Sequence, residues 1–326
     1  MLRGGRPVGT NATTPATEEQ HETVLETRGL RKVFKDVVAV KGLDLSLRTG
    51  EVYGFLGPNG AGKTTTIKMV LGLTFPTAGT ARIGGIDVLA DPVAARTGLG
   101  YLPENVAFGE NLTGRQTLAF FAEAKGAPPE SVLPALEQVG LGDAADKKVG
   151  KFSKGMRQLL GVAQAFLGAP RLLILDEPTN GLDPIKTRLV REMIREANGN
   201  GATVFFSSHI LSEVQEVCDR VGILSRGVLV GEDRPENLSA LLHIRPVLIV
   251  SLFEPAPAAR RTAEGVAGVW AVREEDAAIR VECPTDVRGE VLAAIAREGI
   301  KVKDVRTEEP SLEEVFVRLT AKGGAA

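Results

Sequence analysis

The sequence predicts an α/β protein. It has a core of mainly parallel β-sheet, preceded by an antiparallel β subdomain, interrupted by a helical subdomain and followed by a small α+β domain. Three observations lead there. After Pro170, aliphatic strand-sized runs alternate with amphipathic segments ("RLLILD", "PIKTRLVREMIREAN", "GATVFFSS", "HILSEVQEVC", "RVGILS"), as in a parallel sheet covered by helices. From Leu112 to Phe166 the chain reads as mainly helical. Beyond Ile244 the pattern changes to short strands and two or more helical stretches, a unit of about 80 residues.

The elements follow in order. Residues 1–22 are rich in Gly, Thr and Pro and contain no hydrophobic region, so they read as a disordered tail and not a secretion signal. From Val24 to Gly50, short β-like runs ("VLETRGL", "VVAV", "LDLSL") alternate with turns, predicting a small antiparallel sheet. "EVYGFLG" (Glu51 to Gly57) is a buried strand ending in glycine, followed by a helix from Gly62 to about Gly72. "GRQTLAFFAEAKG" and "PESVLPALEQVG" are helices. In "FSKGMRQLLG", Ser153 is a good N-cap, and Met156, Leu159, Leu160, Ala163 and Leu167 recur at helical spacing. Two residues sit oddly there. Gly155 in the first turn costs roughly 1 kcal/mol against Ala, and Lys154 puts a cation where the helix dipole favours anions. Residues 23–243 are expected to form one domain, with its helical subdomain at about 104–168, and residues 244–326 a second. The boundary falls around Leu242 to Pro246, where Pro246, Pro255 and Pro257 punctuate the chain.

Composition limits the function. The formal net charge is −2, from 39 basic and 41 acidic residues, which argues against general nucleic-acid binding. Cys218 and Cys283 lie far apart in apolar segments, which suits core positions in a reducing compartment. No stretch approaches the ~18 consecutive apolar residues of a membrane helix. "VLIVSLF" and "LLIL" are only strand-sized, so no intrinsic span is expected and the chain reads as a soluble protein of the cytoplasm.

"GPNGAGKTT", Gly57 to Thr65, follows a strand and opens a helix, matching the phosphate-loop pattern. The glycines let backbone amides from Gly60 to Thr65 turn inward on a polyphosphate, and the helix N-terminus adds its dipole. Asn59, Gly60, Ala61, Gly62, Lys63, Thr64 and Thr65 are the candidate nucleotide contacts. Lys63 would neutralise the β- and γ-phosphates and the Thr64 hydroxyl would ligate Mg²⁺. The core is therefore expected to be a phosphate-loop (RecA-like) nucleoside triphosphatase. "LLILDEP" places Asp176 at the C-terminal edge of a strand, where it would hold Mg²⁺, with Glu177 next as the base for the attacking water. In "SSHILSEV", Ser207 and Ser208 end a strand and His209 begins the next helix, where it would donate to the γ-phosphate and orient Glu177 or the water.

Taken together, these motifs resemble those of the ATP-binding-cassette (ABC) ATPases over about Val24 to Gly231. "GPNGAGKTT" looks like the Walker A loop, "LLILDE" the Walker B strand, "NGLD" (Asn180 to Asp183) the D-loop and "SSH" the switch histidine. "FSKGM" looks like the signature usually written LSGGQ. Phe34 stands where the family carries an aromatic that stacks on adenine, and Glu104 where it often has a Gln that touches Mg²⁺ and relays motion. Asn180 to Asp183 superficially resembles the guanine-reading box of GTPases. It lacks the Lys and lies beside Asp176 and Glu177, so ATP is the expected nucleotide.

The resemblance implies ATP and Mg²⁺ as cofactors and a head-to-tail dimer of two copies. Ser153 and Gly155 of one copy would then complete the ATP site of the other, contacting its γ-phosphate. It also implies a separate exporter-type permease, with the chain peripheral on the inner face of the cell membrane. Lys154 and Met156 depart from the signature consensus, as Glu104 does from its loop. "YLPENVAFG" and "FSKGMRQLLGVAQAF" further resemble the ATPase of the copper-processing system that matures nitrous-oxide reductase, and "PSLEEVF" (Pro310 to Phe316) is shared with drug-exporter ATPases. A soluble ABC protein of ribosomes or DNA usually carries two cassettes or a coiled coil, but here each motif occurs once without sustained heptads. A kinase or GTPase would leave "FSKGM" and His209 unexplained. His243, Trp270 and Cys283 are isolated and read as structural.

Overall fold

A computed structural model describes residues 22–237, 247–255 and 257–308. The N-terminal tail through residue 21, the expected boundary at Leu242 to Pro246, His243 and the segment Pro310 to Phe316 lie outside the described residues. The chain begins with β1 (Thr23–Phe34), β2 (Val37–Arg48) and β3 (Val52–Leu56), followed by α1 (Lys63–Val70). Next come β4 (Ala78–Ile83), β5 (Ile86–Asp87), the short α2 (Pro92–Ala95) and β6 (Leu99–Leu102). One antiparallel sheet has the order β2-β1-β4-β5. Its first two strands are longer than the short runs read from the sequence. Register shifts between Thr27 and Leu30 let β1 continue through "RGLR", with Gly29 at φ 55 absorbing the extra residue.

Three helices follow: α3 (Gly114–Lys125), α4 (Val132–Gln138) and α5 (Lys154–Phe166). Thr113 and Gln116 form a reciprocal capping box at the start of α3, at 3.1 and 2.9 Å. At the far end of α3, Lys125 turns its ammonium onto the C-terminal carbonyls of α5, donating to Gln164 O at 2.5 Å, Ala165 O at 3.2 Å and Leu167 O at 3.4 Å. Burial there lowers the Lys125 pKa from 10.5 to about 8. Leu159, Leu160, Val162 and Ala163 of α5 pack into one core with Leu118, Leu136 and Phe152.

The remaining elements of the parallel core are β7 (Leu172–Asp176), α6 (Pro184–Gly199), β8 (Thr203–Ser208), α7 (Leu211–Val217), β9 (Arg220–Ser225) and β10 (Val228–Asp233). The sheet order is β10-β9-β3-β8-β7-β6, parallel except at β10. Every residue of β3, β7 and β8 is buried, which is why "VYGFL", "LLILD" and "TVFFSS" read as largely apolar runs, the last two ending in polar residues. Register then fixes the site. Leu56 pairs with Ser208 and Asp176 with Ser207, so the residues that leave these three strands emerge side by side at one edge of the sheet.

The C-terminal unit contains β11 (Val247–Leu252), α8 (Pro257–Glu264), β12 (Ala271–Glu275), β13 (Ala278–Glu282), α9 (Arg288–Arg297) and β14 (Val302–Glu308). Its antiparallel sheet runs β12-β13-β11-β14, with a core of its own around Val250, Ile279, Val281, Val291 and Ile295. Cys283 is buried in that unit and Cys218 is half-buried beside Gly54; both are free thiols, and burial pushes both pKa values up. Among the described residues, no helix is long and apolar enough to cross a membrane.

Candidate nucleotide site

β3 delivers Gly57 to the sheet edge, and the loop from Pro58 to Gly62 turns the chain into α1. Gly62 has φ 110, and a Cβ there would lie 2.5 Å from the Ala39 carbonyl, so this turn requires glycine. No side chain caps α1, which leaves its first backbone amides to other acceptors. Asn59, Gly60, Gly62, Lys63, Thr64 and Thr65 line a cleft of about 270 Å³ together with Glu104 and Glu177. Ala61 is buried beneath the loop, where its carbonyl accepts the Gly227 amide at 2.8 Å.

Lys63 is 6 % exposed, and its ammonium donates to Gly57 O at 2.6 Å and lies 3.2 Å from Glu177 Oε1. The other oxygen of Glu177 meets His209 Nδ1 at 2.8 Å. A cation, a carboxylate and an imidazole are thus strung together beside the phosphate loop. Glu177 itself has φ 52, in the left-handed region. Its backbone is held from both sides. The amide donates to Ser207 Oγ at 3.1 Å, and the carbonyl accepts from Gln158 Nε2 at 3.2 Å.

Asp176 is fully buried. Ser207 Oγ donates to its Oδ1 at 2.6 Å, while Oδ2 has no hydrogen-bond partner. Burial raises its pKa; the Ser207 bond and the nearby Thr64 hydroxyl oppose the shift, and the charges of Glu104 and Glu177 add to it. Thr64 Oγ1 donates to Glu104 Oε2 at 3.1 Å. Tyr101 is raised to about 12 by burial and by the Asp176 and Glu104 carboxylates. An unpartnered carboxylate oxygen with a hydroxyl and a second carboxylate close by is a hard-oxygen donor set of the kind Mg²⁺ takes.

One expectation about His209 is corrected. It does not begin a helix: α7 starts at Leu211, because Ser208 Oγ accepts the Ile210 amide at 2.9 Å and holds a turn between strand and helix. Phe34 ends β1 at 48 % exposure with Lys32 Nζ 4.8 Å above its ring, and it does not line the phosphate cleft. Ser153 and Gly155 do not line it either. The Ser153 side chain caps α5 by accepting the Met156 amide at 3.2 Å, and Gly155 sits against the backbone of Gly181. Lys154 Nζ reaches Asn180 Oδ1 at 3.5 Å.

Two polar residues that the motifs did not flag also matter here. Gln158 is buried on an otherwise apolar helix face. Glu213, also buried, accepts from Thr179 Oγ1 at 2.8 Å and Ser208 Oγ at 2.9 Å. Their signal in the sequence is a polar side chain at a position where periodicity demands an apolar one.

Comparison with known proteins agrees with this geometry. Residues 40–180 match the ABC transporter family. The bacitracin transport ATP-binding protein of Enterococcus faecalis is 36 % identical over 307 residues, covering 94 % of this chain and 99 % of the relative. The daunorubicin/doxorubicin resistance ATP-binding protein of Streptomyces peucetius is 34 % identical over 310 residues, covering 92 % and 93 %. A solved ATP-binding subunit of an ABC transporter superposes with a TM-score of 0.64 at 30 % identity, covering 68 % of this chain and 94 % of that one. The chain therefore belongs to the ABC transporter ATP-binding subunits of the exporter type, cassettes that bind and hydrolyse ATP.

Proposed function

We propose that this chain drives a separate exporter-type membrane permease from the cytoplasmic face of the membrane, working as a head-to-tail pair of copies that share two ATP sites. The observation that carries the reading is the chain Lys63–Glu177–His209, with contacts of 3.2 and 2.8 Å, beside the phosphate loop. In it, loop amides from Gly60 to Thr65 and the Lys63 ammonium hold the β- and γ-phosphates, and Phe34 stacks on adenine. Asp176, Thr64 and Glu104 hold Mg²⁺, which supplies Lewis-acid neutralisation of phosphate charge when bound. Glu177 orients the attacking water and takes its proton as the oxygen bonds to the γ-phosphorus and the bridging P–O bond to ADP breaks. His209 holds Glu177 in line and donates to the γ-phosphate.

The signature residues supply the second half of each site. The Ser153 hydroxyl and Gly155 amide, at the N-terminus of a 13-residue helix, would meet the γ-phosphate bound by the other copy. Neither residue lines the phosphate cleft of its own chain, as such sharing requires. The near-neutral charge argues against nucleic acid as partner. One relative transports bacitracin, so an antibiotic-class cargo selected by the permease is the one to test first.

Two experiments test this. Affinity capture of the full chain from membranes should bring down a multi-spanning permease; a chain recovered only with soluble proteins would overturn that part. Lys63→Ala and Ser153→Ala subunits, each impaired in turnover, should regain part of the ATPase activity when mixed, because each mixed pair has one site free of both changes. No recovery would count against sites shared between copies.

A further inference from the structure

The first two turns of α5 lie along the segment that carries Glu177. At the N-terminus, Lys154 stretches to Asn180, and Gly155 lies beside Gly181, where a Cβ would make ordinary van der Waals contact with its carbonyl oxygen at 3.4 Å. One turn further, the Gln158 side chain is 5 % exposed and spends both amide hydrogens on two successive carbonyls, Glu177 O at 3.2 Å and Pro178 O at 3.0 Å. The Glu177 amide is meanwhile fixed by Ser207 of β8 at 3.1 Å, an anchor outside α5. At a left-handed φ of 52, the direction of the Glu177 carboxylate depends on both anchors. One of them belongs to the helix whose N-terminus carries Ser153 and Gly155.

We propose that Gln158 is a positioning residue that sets Glu177 according to what the N-terminus of α5 holds, so that phosphate bound at the signature of one copy readies that copy's own hydrolytic site. This rests on the reading that Ser153 and Gly155 meet a phosphate on a second copy. A shift of α5 along or about its axis moves the Gln158 amide, and with it the Glu177 and Pro178 carbonyls. Lys154 carries the same displacement into Asn180 on the solvent side. The two sites of a pair are then linked through one buried side chain in each copy.

The test is a mutant cycle in the full chain, reading ATPase rate against ATP concentration together with equilibrium binding of a fluorescent ATP analogue. Gln158→Met keeps the length of the side chain but removes both donors. It should lower kcat about tenfold with KM and analogue affinity unchanged, and lower the Hill coefficient toward one. Gln158→Asn, one methylene short of the carbonyls, should show the same split in case the methionine variant does not fold. Ser153→Ala combined with Gln158→Met should be no slower than the slower single variant, because both cut the same line of communication. A Gln158→Met enzyme with parental kcat and Hill coefficient overturns the inference and leaves the shared-site reading standing. Losses that multiply in the double variant overturn the coupling. A Ser153→Ala enzyme with parental turnover removes the shared-site reading and the inference with it.

Discussion

The Lys63 ammonium lies 3.2 Å from the Glu177 carboxylate with both side chains buried, so a γ-phosphate and the base compete for the same cation. Glu177→Gln removes one competitor. Turnover is expected to fall by at least ~100-fold, while ATP binding is retained or tightened and the ATP-bound pair accumulates. Steady-state phosphate release, nucleotide binding and light scattering check this. Parental turnover would remove Glu177 as the base.

Asp176 carries a charge that the fold disfavours. Its pKa is raised, so above the ordinary value of 3.8 the folded chain binds a proton that the unfolded chain has released, and stability falls as pH rises through that window. Asp176→Asn cannot ionise and escapes this loss. Its melting temperature at pH 7 should exceed the parent's, while Mg²⁺-dependent turnover drops by at least ~100-fold. Thermal melts paired with ATPase assays separate the two effects.

Lys125 behaves in the opposite sense. With a folded pKa of about 8 against the ordinary 10.5, the unfolded chain holds the extra proton between those values, so raising the pH favours the folded state. Relative to Lys125→Met, the parent should gain about 1–2 kcal/mol between pH 7 and 9.5. Denaturant melts of both proteins at the two pH values measure it, and a difference that does not change with pH would contradict the assignment.

Glu213 accepts hydroxyl hydrogens from Thr179, two residues after Glu177, and from Ser208, next to His209. Glu213→Leu leaves both hydroxyls buried without that acceptor and should cost about 2–3 kcal/mol of stability, read by chemical denaturation. Thr179→Val in the same background should restore part of that loss, since one stranded donor is then gone.

Much of the site is legible in the sequence because its backbone signals are local. A strand, five glycine-rich residues and a lysine announce the phosphate loop, and an aliphatic run ending in Asp176-Glu177 announces the metal and base positions. What the sequence does not announce is where side chains from elsewhere lend support. Gln158 lies 19 residues from Glu177 and Ser207 lies 30, and only the pairing of β7 with β8 and the packing of α5 bring them to its carbonyl and amide. The start of α7 is hard to read from the sequence for a related reason. A serine hydroxyl can serve a strand end, a turn or a helix cap, and at Ser208 it serves the turn. In β2, the irregularity at Gly42, φ 98, makes one long strand read as the two short runs "VVAV" and "LDLSL".

The left-handed backbone of Glu177 has a consequence for anyone redesigning this protein. Asparagine or glycine would occupy φ 52 more comfortably, by roughly 0.5–1 kcal/mol in the backbone taken alone. The same change would delete the carboxylate between Lys63 and His209. At this position the backbone and the side-chain site favour different amino acids, and glutamate records which of the two prevailed.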